Sequence, residues 1–181
     1  MLSMTQIDIQ ACNVELTQKN ALHNALLTRV IHGDFLKSFE GEKFDMIVTN
    51  PPFYHQNVTK SDKEHIAISR YSDYLPLEAM IKHANSLLRP HGKFYCCYDA
   101  KQLPILIQTL THYKLNIERL QCVHSKKEKE ASLVLVEAKK SSKSLCRILP
   151  PLVVHDEEGY TLDAQKFFSN AATTSLECPL S

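Results

Sequence analysis

Glycine is scarce in this sequence: four of the 181 residues are glycine, and no two of them lie close together along the chain. A turn whose backbone must approach a bound ligand closely needs residues without a Cβ atom. These 181 residues therefore contain no glycine-rich turn of that kind. Such a shortage is unusual for an α/β protein that binds a cofactor.

The cysteines lack the spacing that zinc sites and thiol redox motifs require. No two form a Cys-x-x-Cys pair, and no group of histidines lies at ligand spacing beside them, so we expect no metal site. Cys96 and Cys97 are neighbours on a predicted strand and should point to opposite faces. Buried, reduced thiols in a cytoplasmic protein are the simplest interpretation. The six cysteines are Cys12, Cys96, Cys97, Cys122, Cys146 and Cys178.

An excess of either charge is also missing, since 21 basic and 20 acidic residues give a formal net charge of +1. No global basic field attracts nucleic acid, so nucleic-acid binding must come from a local patch. No apolar run approaches the ~18 residues of a membrane span, and no basic leader precedes an apolar block. These features predict a cytoplasmic protein without a membrane partner. The length predicts a single domain with a sizeable core.

Strand and helix patterns alternate along the chain, which favours an α/β fold with a largely parallel sheet. The predicted elements are, in order, strand 4–9, helix 11–23, strand 29–35, strand 44–49, helix 72–88, strand 93–98, helix 99–113, strand 115–124 and strand 131–138. The last two strands are joined by a short polar loop, so they should form an antiparallel pair.

The segment Asn50-Pro51-Pro52-Phe53 directly follows the predicted strand 44–49. Proline cannot donate to a sheet, so the two prolines end the strand and place Asn50 at its carboxyl end, where open α/β sheets bind ligands. The Asn50 side-chain oxygen and the Pro51 carbonyl are acceptors, so together they can hold both hydrogens of an amino group. The Phe53 ring can stack on a flat base. The alternative is a structural Pro-Pro turn with an asparagine cap.

This tetrapeptide resembles the (N/D)PP(F/Y/W) motif of S-adenosylmethionine-dependent methyltransferases that modify exocyclic or amide nitrogens. The resemblance implies a Rossmann-like class I methyltransferase sheet with strand order 3-2-1-4-5-7-6, in which the seventh, C-terminal strand is antiparallel. It implies S-adenosylmethionine as the cofactor. It also implies that Asn50, Pro51, Pro52 and Phe53 are the catalytic residues.

Further stretches are similar to the bacterial valine-tRNA (adenine-N6)-methyltransferase-like group. They are His65-Ile66-Ala67 with Arg70, residues 88–94, residues 123–129 with Ala131, residues 149–152 and residues 156–159. The similarity predicts a methyltransferase domain over residues 1–161 and an irregular tail over 162–181. Members of this group methylate the adenine just 3′ of a tRNA anticodon. The resemblance therefore implies tRNA or another structured RNA as the partner, and it leaves the oligomeric state open.

The family also implies roles for residues that follow the early strands. Asp8 matches the acid that holds the ribose hydroxyls of the cofactor, a role that suits a carboxylate because it accepts two hydrogen bonds from a diol. Asp34 matches the acid that accepts from the adenine amino group, with Phe35 beside the adenine ring, and Asn50 borders the cofactor as well. For Asp8 the alternative is a cap for the helix 11–23.

The sequence departs from the family at one place. The family domain begins with a first strand, a turn of the D/E-x-G-x-G-x-G type and a first helix, and none of these 181 residues supplies them. We therefore expect a sheet that lacks its first strand and first helix, and weak binding of S-adenosylmethionine by the chain as it stands.

A local basic patch is predicted on the loop between the last two strands, where Lys126, Lys127 and Lys129 cluster. Together with Arg70 they are candidates for contact with RNA phosphates. From charge alone, Glu128 and Glu130 beside these lysines favour a solvated turn. The family resemblance favours RNA contact.

Two alternatives to an adenine-N6 methyltransferase stay open. Asn-Pro-Pro-aromatic segments also serve guanine-N2 and protein-glutamine methyltransferases. Because a glycine-rich cofactor turn is lacking, a non-catalytic RNA-binding module is the other alternative.

Overall fold

The computed structural model describes residues 3–53 and 75–170, and the chain divides into two compact units. One unit comprises Met1–Glu40 with Phe168–Ser181, and the other comprises Gly41–Phe167. Each unit has its own β-sheet. The single methyltransferase domain over residues 1–161 stays a prediction.

The first unit is a β-α-β arrangement. β1 (Met4–Asp8) and β2 (Thr28–His32) pair in parallel, and α1 (Ala11–His23) connects them. Parallel strands need such a crossover, because the chain must return to the start of the first strand before it begins the second. Val14 and Ala21 are the buried residues of the helix. The bounds of α1 are those predicted from its apolar spacing.

The second unit contains a six-stranded mixed sheet. Its strands are β3 (Phe44–Thr49), β4 (Leu88–Asp99), β5 (Leu115–Lys126), β6 (Ala131–Lys140), β7 (Arg147–Ile148) and β8 (Leu152–His155). The described helices that follow β3 are α2 (Leu77–Leu87), α3 (Leu103–His112) and α4 (Leu162–Asn170). Among the described residues, no helix is long and apolar enough to cross a membrane.

The strands of this sheet lie in the order β3-β4-β6-β5-β7, and β8 also pairs with β5. β3 and β4 are parallel, whereas β6 lies between β4 and β5 and is antiparallel to both. The order and directions that the family resemblance implies for its strands 4-5-7-6 are thus confirmed, and so is the antiparallel pair β5–β6. Because β5 runs in the same direction as β3 and β4, the carboxyl ends of all three lie at one edge of the sheet.

The core of the second unit forms where α2 packs on β4 and α3 packs on β5, with the two helices in contact with each other. Along β4, buried residues alternate with partly exposed ones, as expected for a strand with one face against a core. Phe94, Cys96 and Tyr98 point into the core from this strand. α2 contributes Ile81 and Ala84, both fully buried.

β4 begins at Leu88, five residues earlier than predicted. Residues 89–92 lie between the predicted helix 72–88 and the predicted strand 93–98, but they continue the strand, with an irregular register between Phe44 and Met46 of β3. His91 has a φ of 64°, which accommodates the irregularity. Gly92 packs so tightly that an added Cβ would lie 2.9 Å from the carbonyl oxygen of Arg89. The turn-forming residues therefore make a bulge within a strand.

The C-terminal region is more regular than predicted. α4 occupies Leu162–Asn170, so the prediction of an irregular tail over 162–181 is wrong for these residues. Thr161 supplies the start of this helix, since its hydroxyl accepts a hydrogen bond from the Ala164 backbone N–H at 3.2 Å. The helix was not predicted because its nine residues are fewer than the span over which helical spacing is read. Residues 171–181 lie outside the described part of the chain.

A charged cluster crosses the middle of the mixed sheet. Glu137 of β6 is only 6% exposed, and its two carboxylate oxygens lie 2.8 Å from Lys93 Nζ and 3.3 Å from Arg119 Nε. The hydrogen bond to Glu137 is the main cause that raises the pKa of Lys93. A buried carboxylate is tolerated only when such partners replace water. The cluster therefore ties β6 to both of its neighbouring strands.

We predict that Glu137→Ala lowers the free energy of unfolding by about 1.5–3 kcal/mol, the range for hydrogen bonds to charged groups. Urea denaturation followed by circular dichroism measures this change. The matched control is Asp45→Ala, since Asp45 is 82% exposed and pairs with Arg89 at 2.6 Å. That exposed pair should contribute about 0.5 kcal/mol or less. Equal losses in the two variants would show that burial does not strengthen the Glu137 cluster.

Candidate active site

The Asn50–Phe53 segment lies at the carboxyl edge of the mixed sheet. β3 ends at Thr49, as predicted, and the segment follows directly. The parallel register pairs Thr49 with Cys96 of β4. Phe53, four residues after Thr49, contacts Tyr98, which lies two residues after Cys96 on β4.

Solvent exposure differs between the first residue of the segment and the three that follow it. Asn50 is exposed, Pro51 is buried, and Pro52 and Phe53 are half-buried. The Asn50 amide is thus accessible from solvent, while the residues that follow it are packed. Proline fixes φ at both central positions, which limits the conformations that the segment can adopt. The arrangement presents two acceptors, the Asn50 side-chain oxygen and the Pro51 carbonyl, on a restrained backbone.

Phe53 is held from two sides by residues at the end of β4. Its ring meets that of Tyr98 edge to face, with ring centroids 5.6 Å apart and an interplanar angle of 68°. Its carbonyl oxygen accepts a hydrogen bond from Gln102 Nε2 at 2.7 Å, and the same nitrogen lies 3.2 Å from Asp99 Oδ2. Neither Tyr98 nor Gln102 is among the predicted site residues. The available signal was their position, since Tyr98 lies near the carboxyl end of β4 and Gln102 lies three residues after that strand.

Tyr98, which contacts Phe53, and the neighbouring cysteines of β4 are neutral at physiological pH. Burial, with smaller contributions from Cys96 and Asp99, raises the pKa of Tyr98 to about 12. Burial, with a smaller contribution from Cys97, raises the pKa of Cys96 to about 12, and burial alone raises that of Cys97. Neither thiol therefore supplies a nucleophilic thiolate. What these residues offer is shape and packing.

In the first unit, Asp8 and Asp34 lie at one edge of the two-stranded sheet. Asp8 ends β1 and pairs in register with His32, the last residue of β2, and Asp34 follows two residues later. The Gly33 backbone N–H donates to the Asp8 carbonyl at 3.0 Å, which keeps the two chain segments together beyond the strands. The parallel pairing thus places both predicted cofactor-binding acids at the same edge.

Both acids already accept local hydrogen bonds. Asp8 Oδ1 accepts from the Gln10 backbone N–H at 2.8 Å, and its Oδ2 accepts from Asn13 Nδ2 at 3.1 Å. Asp34 Oδ1 accepts from the Leu36 backbone N–H at 2.9 Å. These bonds fit the alternative structural role, yet a carboxylate has about four acceptor positions, so capacity is left for a ligand. The bonds also fix the orientation of the carboxylates.

Phe35, the remaining predicted cofactor residue, opens a 3₁₀ helix over Phe35–Lys37 and is half-buried. Its ring meets Phe39 edge to face, with centroids 6.4 Å apart. Phe35 follows Asp34 directly, so one face of an aromatic ring lies near this acid. Its role against adenine stays a prediction.

The predicted basic patch lies at the tip of the β5–β6 hairpin. Lys126 ends β5, and the Lys129 backbone N–H donates to the Lys126 carbonyl at 3.1 Å to close the turn. His124 braces the turn, since its Nδ1 lies 2.7 Å from the Lys129 carbonyl. Lys126, Lys127 and Lys129 are exposed, and so are Glu128 and Glu130. Arg70 lies outside the described residues.

The tip and the Asn50–Phe53 segment share one sheet edge. In the registers of β6, Asp99 of β4 and Val123 of β5 both pair with Leu133, so Lys126 lies three residues beyond the level of Asp99. Two strand spacings of about 4.8 Å separate β4 from β5. The lysines therefore project past the edge at which Asn50 lies.

Comparison with known proteins identifies the family. The family model of the methyltransferase small domain matches residues 1–119. The chain belongs to this family. A structure titled as a predicted O-methyltransferase from Agrobacterium tumefaciens, 15% identical, has the same fold, with a TM-score of 0.68 over 96% of this chain and 80% of that one. The Rossmann-like class I methyltransferase fold predicted from the motif is thus confirmed.

Relatives in the family carry more specific names. A Porphyromonas gingivalis protein named tRNA1(Val) (adenine(37)-N6)-methyltransferase is 28% identical over 163 residues, which cover 85% of this chain and 64% of that protein. A Vibrio vulnificus protein of the same name is 34% identical over 94 residues, 51% of this chain and 39% of that one. The chain thus spans less than two thirds of the length of these relatives. Within residues 3–53 and 75–170, no three His, Cys, Asp or Glu side chains are grouped as a metal site requires.

We predict that iodoacetamide at pH 8 leaves Cys96 unmodified while it labels the exposed Cys12 and Cys146. With a pKa of about 12, only about 10⁻⁴ of the Cys96 thiol is ionised at that pH. Because the pKa is raised, reactivity should increase as the pH rises. Mass spectrometry of tryptic peptides measures the labelling, with the two exposed cysteines as internal controls. Equal labelling of Cys96 in the folded protein would contradict the burial of β4.

Proposed function

We propose that the chain is an S-adenosylmethionine-dependent N-methyltransferase that acts on adenine N6 in tRNA next to the anticodon. The observation that carries the proposal is the Asn50–Phe53 segment at the carboxyl edge of a methyltransferase sheet, with its amide exposed and its backbone restrained. The names of the relatives support the choice of adenine N6 and tRNA. A tRNA substrate would also place the protein in the cytoplasm.

The acceptor chemistry of the first unit fits the proposed cofactor. The ribose of S-adenosylmethionine offers hydroxyl donors and its adenine offers an amino donor, and carboxylates are suited to accept from both. Asp8 and Asp34 supply carboxylates at adjacent strand ends, each held in orientation by local hydrogen bonds. We assign the ribose to Asp8 and the adenine amino group to Asp34, with Phe35 beside the adenine ring. S-adenosylmethionine supplies the methyl group as an activated, positively charged sulfonium.

The chemistry that remains for the protein is positioning. The Asn50 side-chain oxygen and the Pro51 carbonyl accept the two hydrogens of the adenine amino group. These bonds disfavour delocalisation of the nitrogen lone pair into the ring and direct it toward the methyl group. Pro52 fixes the backbone between these acceptors and Phe53, whose ring stacks on the base. A base in an RNA loop must be splayed out of its stack to reach this position.

The hairpin tip is proposed as a second contact with the RNA. Its three lysines lie at the same sheet edge as Asn50 and are exposed, so they can meet phosphates of an RNA whose target base lies over Phe53. Glu128 and Glu130 reduce the local charge, so this tip alone produces only a weak field. We therefore assign the tip to backbone contacts that add affinity, with Arg70 as a further proposed contact. Base choice belongs to the Asn50–Phe53 segment.

We predict that, in a form of the protein that includes the family's glycine-rich turn, Asn50→Ala lowers the rate of methyl transfer to tRNA by about 10²-fold or more, because a positioning group is lost. Affinity for S-adenosylmethionine should change little. Transfer of labelled methyl groups, followed by nucleoside analysis, measures the rate and identifies the product. Asn116→Ala is the control, since Asn116 lies near the amino end of β5 and donates to Ser144.

Three other outcomes would change the assignment. Retained activity in Asn50→Ala would remove Asn50 from the mechanism. N2-methylguanine or methylated glutamine as the product would favour the related methyltransferase activities. RNA binding without any transfer would favour a non-catalytic module.

We predict that changing Lys126, Lys127 and Lys129 together to Ala weakens binding of a substrate RNA and of an RNA with a changed target sequence about equally. The salt dependence of binding should also become flatter. Each lost phosphate contact should reduce the log–log salt slope by roughly 0.7–0.9. Fluorescence anisotropy with two RNAs across a salt series measures the slope. Changing the exposed Lys19, Lys82 and Lys143 to Ala gives a control with the same net charge.

An unchanged slope in the hairpin-tip variant would leave these lysines as a solvated turn. A loss confined to one RNA sequence would make them readers of bases rather than of phosphates.

A further inference from the structure

Gln102 connects the Asn50–Phe53 segment to the end of β4. It lies at the end of a 3₁₀ helix over Ala100–Gln102 and is the N-cap residue of α3. N-cap side chains usually accept from their own helix, but no side-chain cap bond forms here. The Gln102 amide instead reaches Phe53, 49 residues earlier in the chain. The Gln102 side chain therefore links the segment after β3 to the end of β4 and does not cap its own helix.

The Gln102 amide nitrogen uses both of its hydrogens in this contact. One is donated to the Phe53 carbonyl at 2.7 Å and the other to Asp99 Oδ2 at 3.2 Å. Asp99 is itself oriented, because its Oδ1 accepts from the Lys101 backbone N–H at 3.0 Å. Asp99 on β4 therefore orients the Gln102 amide, and the oriented amide in turn holds the Phe53 carbonyl.

The ring of Tyr98 makes a second contact with Phe53, in addition to the hydrogen bond from Gln102. Tyr98 is 2% exposed and belongs to the buried face of β4, so it cannot shift without disturbing the core. It meets the Phe53 ring, while Gln102 meets the Phe53 carbonyl. The ring and the carbonyl of Phe53 are thus held by two residues, one on β4 and one in the 3₁₀ helix that follows it. Movement of Phe53 relative to β4 is thereby opposed in two directions.

We infer that Gln102 is a positioning residue, which sets the geometry of the Asn50 amide and the Phe53 ring through the Phe53 carbonyl. This inference rests on the proposed function, because it assigns Gln102 an effect on the same reaction. Gln102 contacts the backbone of Phe53, so it acts on the substrate only through that residue. Loss of its hydrogen bond lets the segment shift, and the rate of an aligned reaction is sensitive to small displacements. The proposed cofactor contacts and the phosphate contacts of the hairpin tip lie elsewhere, so the affinities should change less than the rate.

The test compares two substitutions with opposite hydrogen-bonding capacity. Gln102→Leu keeps most of the volume but removes the donor, whereas Gln102→Lys restores a donor that can reach both acceptors. We expect Gln102→Leu to lower kcat about tenfold, the rate equivalent of one lost hydrogen bond, with KM for tRNA and Kd for S-adenosylmethionine unchanged. Gln102→Lys should recover most of kcat.

Gln121→Leu is the matched control. Gln121 also donates its Nε2 to a backbone carbonyl, that of Pro150 at 3.0 Å, but it lies on β5. It should keep the wild-type kcat. A wild-type kcat in Gln102→Leu, or an equal loss in Gln121→Leu, would overturn the inference.

A second measurement does not depend on activity. NMR with selectively labelled aromatic rings detects the contact between Phe53 and Tyr98 as a cross-relaxation peak. We expect this peak in the wild type and in Gln102→Lys, and its loss or strong reduction in Gln102→Leu. If the wild type transfers no methyl group, the proposed function fails, and the NMR result alone decides whether Gln102 fixes the segment. An unchanged peak in Gln102→Leu would then reject the inference.

Discussion

The parallel pairing of β3 with β4 is the interaction on which the candidate site depends. It sets the end of β3 beside the end of β4, so that the exposed Asn50 follows one strand and the buried Tyr98 closes the other. The core face of β4 supplies rigidity, and the two prolines after β3 keep the next residues out of the sheet. A shift of this register by one residue would turn Tyr98 to the opposite face and remove the packing beneath Phe53.

Much of this arrangement was predictable because the information is local. The apolar spacing of α1 and the β-rich run of β3 each lie within a few consecutive residues, and both elements have the predicted bounds. The Asn50–Phe53 segment is also contiguous, so its chemistry could be recognised before any tertiary structure was known. The antiparallel pair β5–β6 followed from a short polar loop between two strong strands.

The features that the sequence did not reveal depend on contacts between distant residues. Gln102 reaches Phe53 across 49 positions, and an isolated glutamine carries no pattern that would announce it. The early start of β4 was missed because Pro90 and Gly92 normally indicate a turn, whereas pairing with β3 carries the strand through a bulge. α4 was missed for a different reason, since its nine residues are fewer than the span over which helical spacing is read. Tertiary pairing overrode local preference at β4.

The place of β6 in the sheet has a consequence for biosynthesis. β6 is made after β5, yet it lies between β4 and β5, so β4 has only β3 as a strand neighbour until residue 140 has been synthesised. The hairpin of β5 and β6 closes a short loop and can form early, whereas its docking on β4 must wait for the complete hairpin. A nascent chain stalled within β6 would therefore expose one edge of β4 to other chains. Completion of β6 is therefore the step that covers this edge of β4.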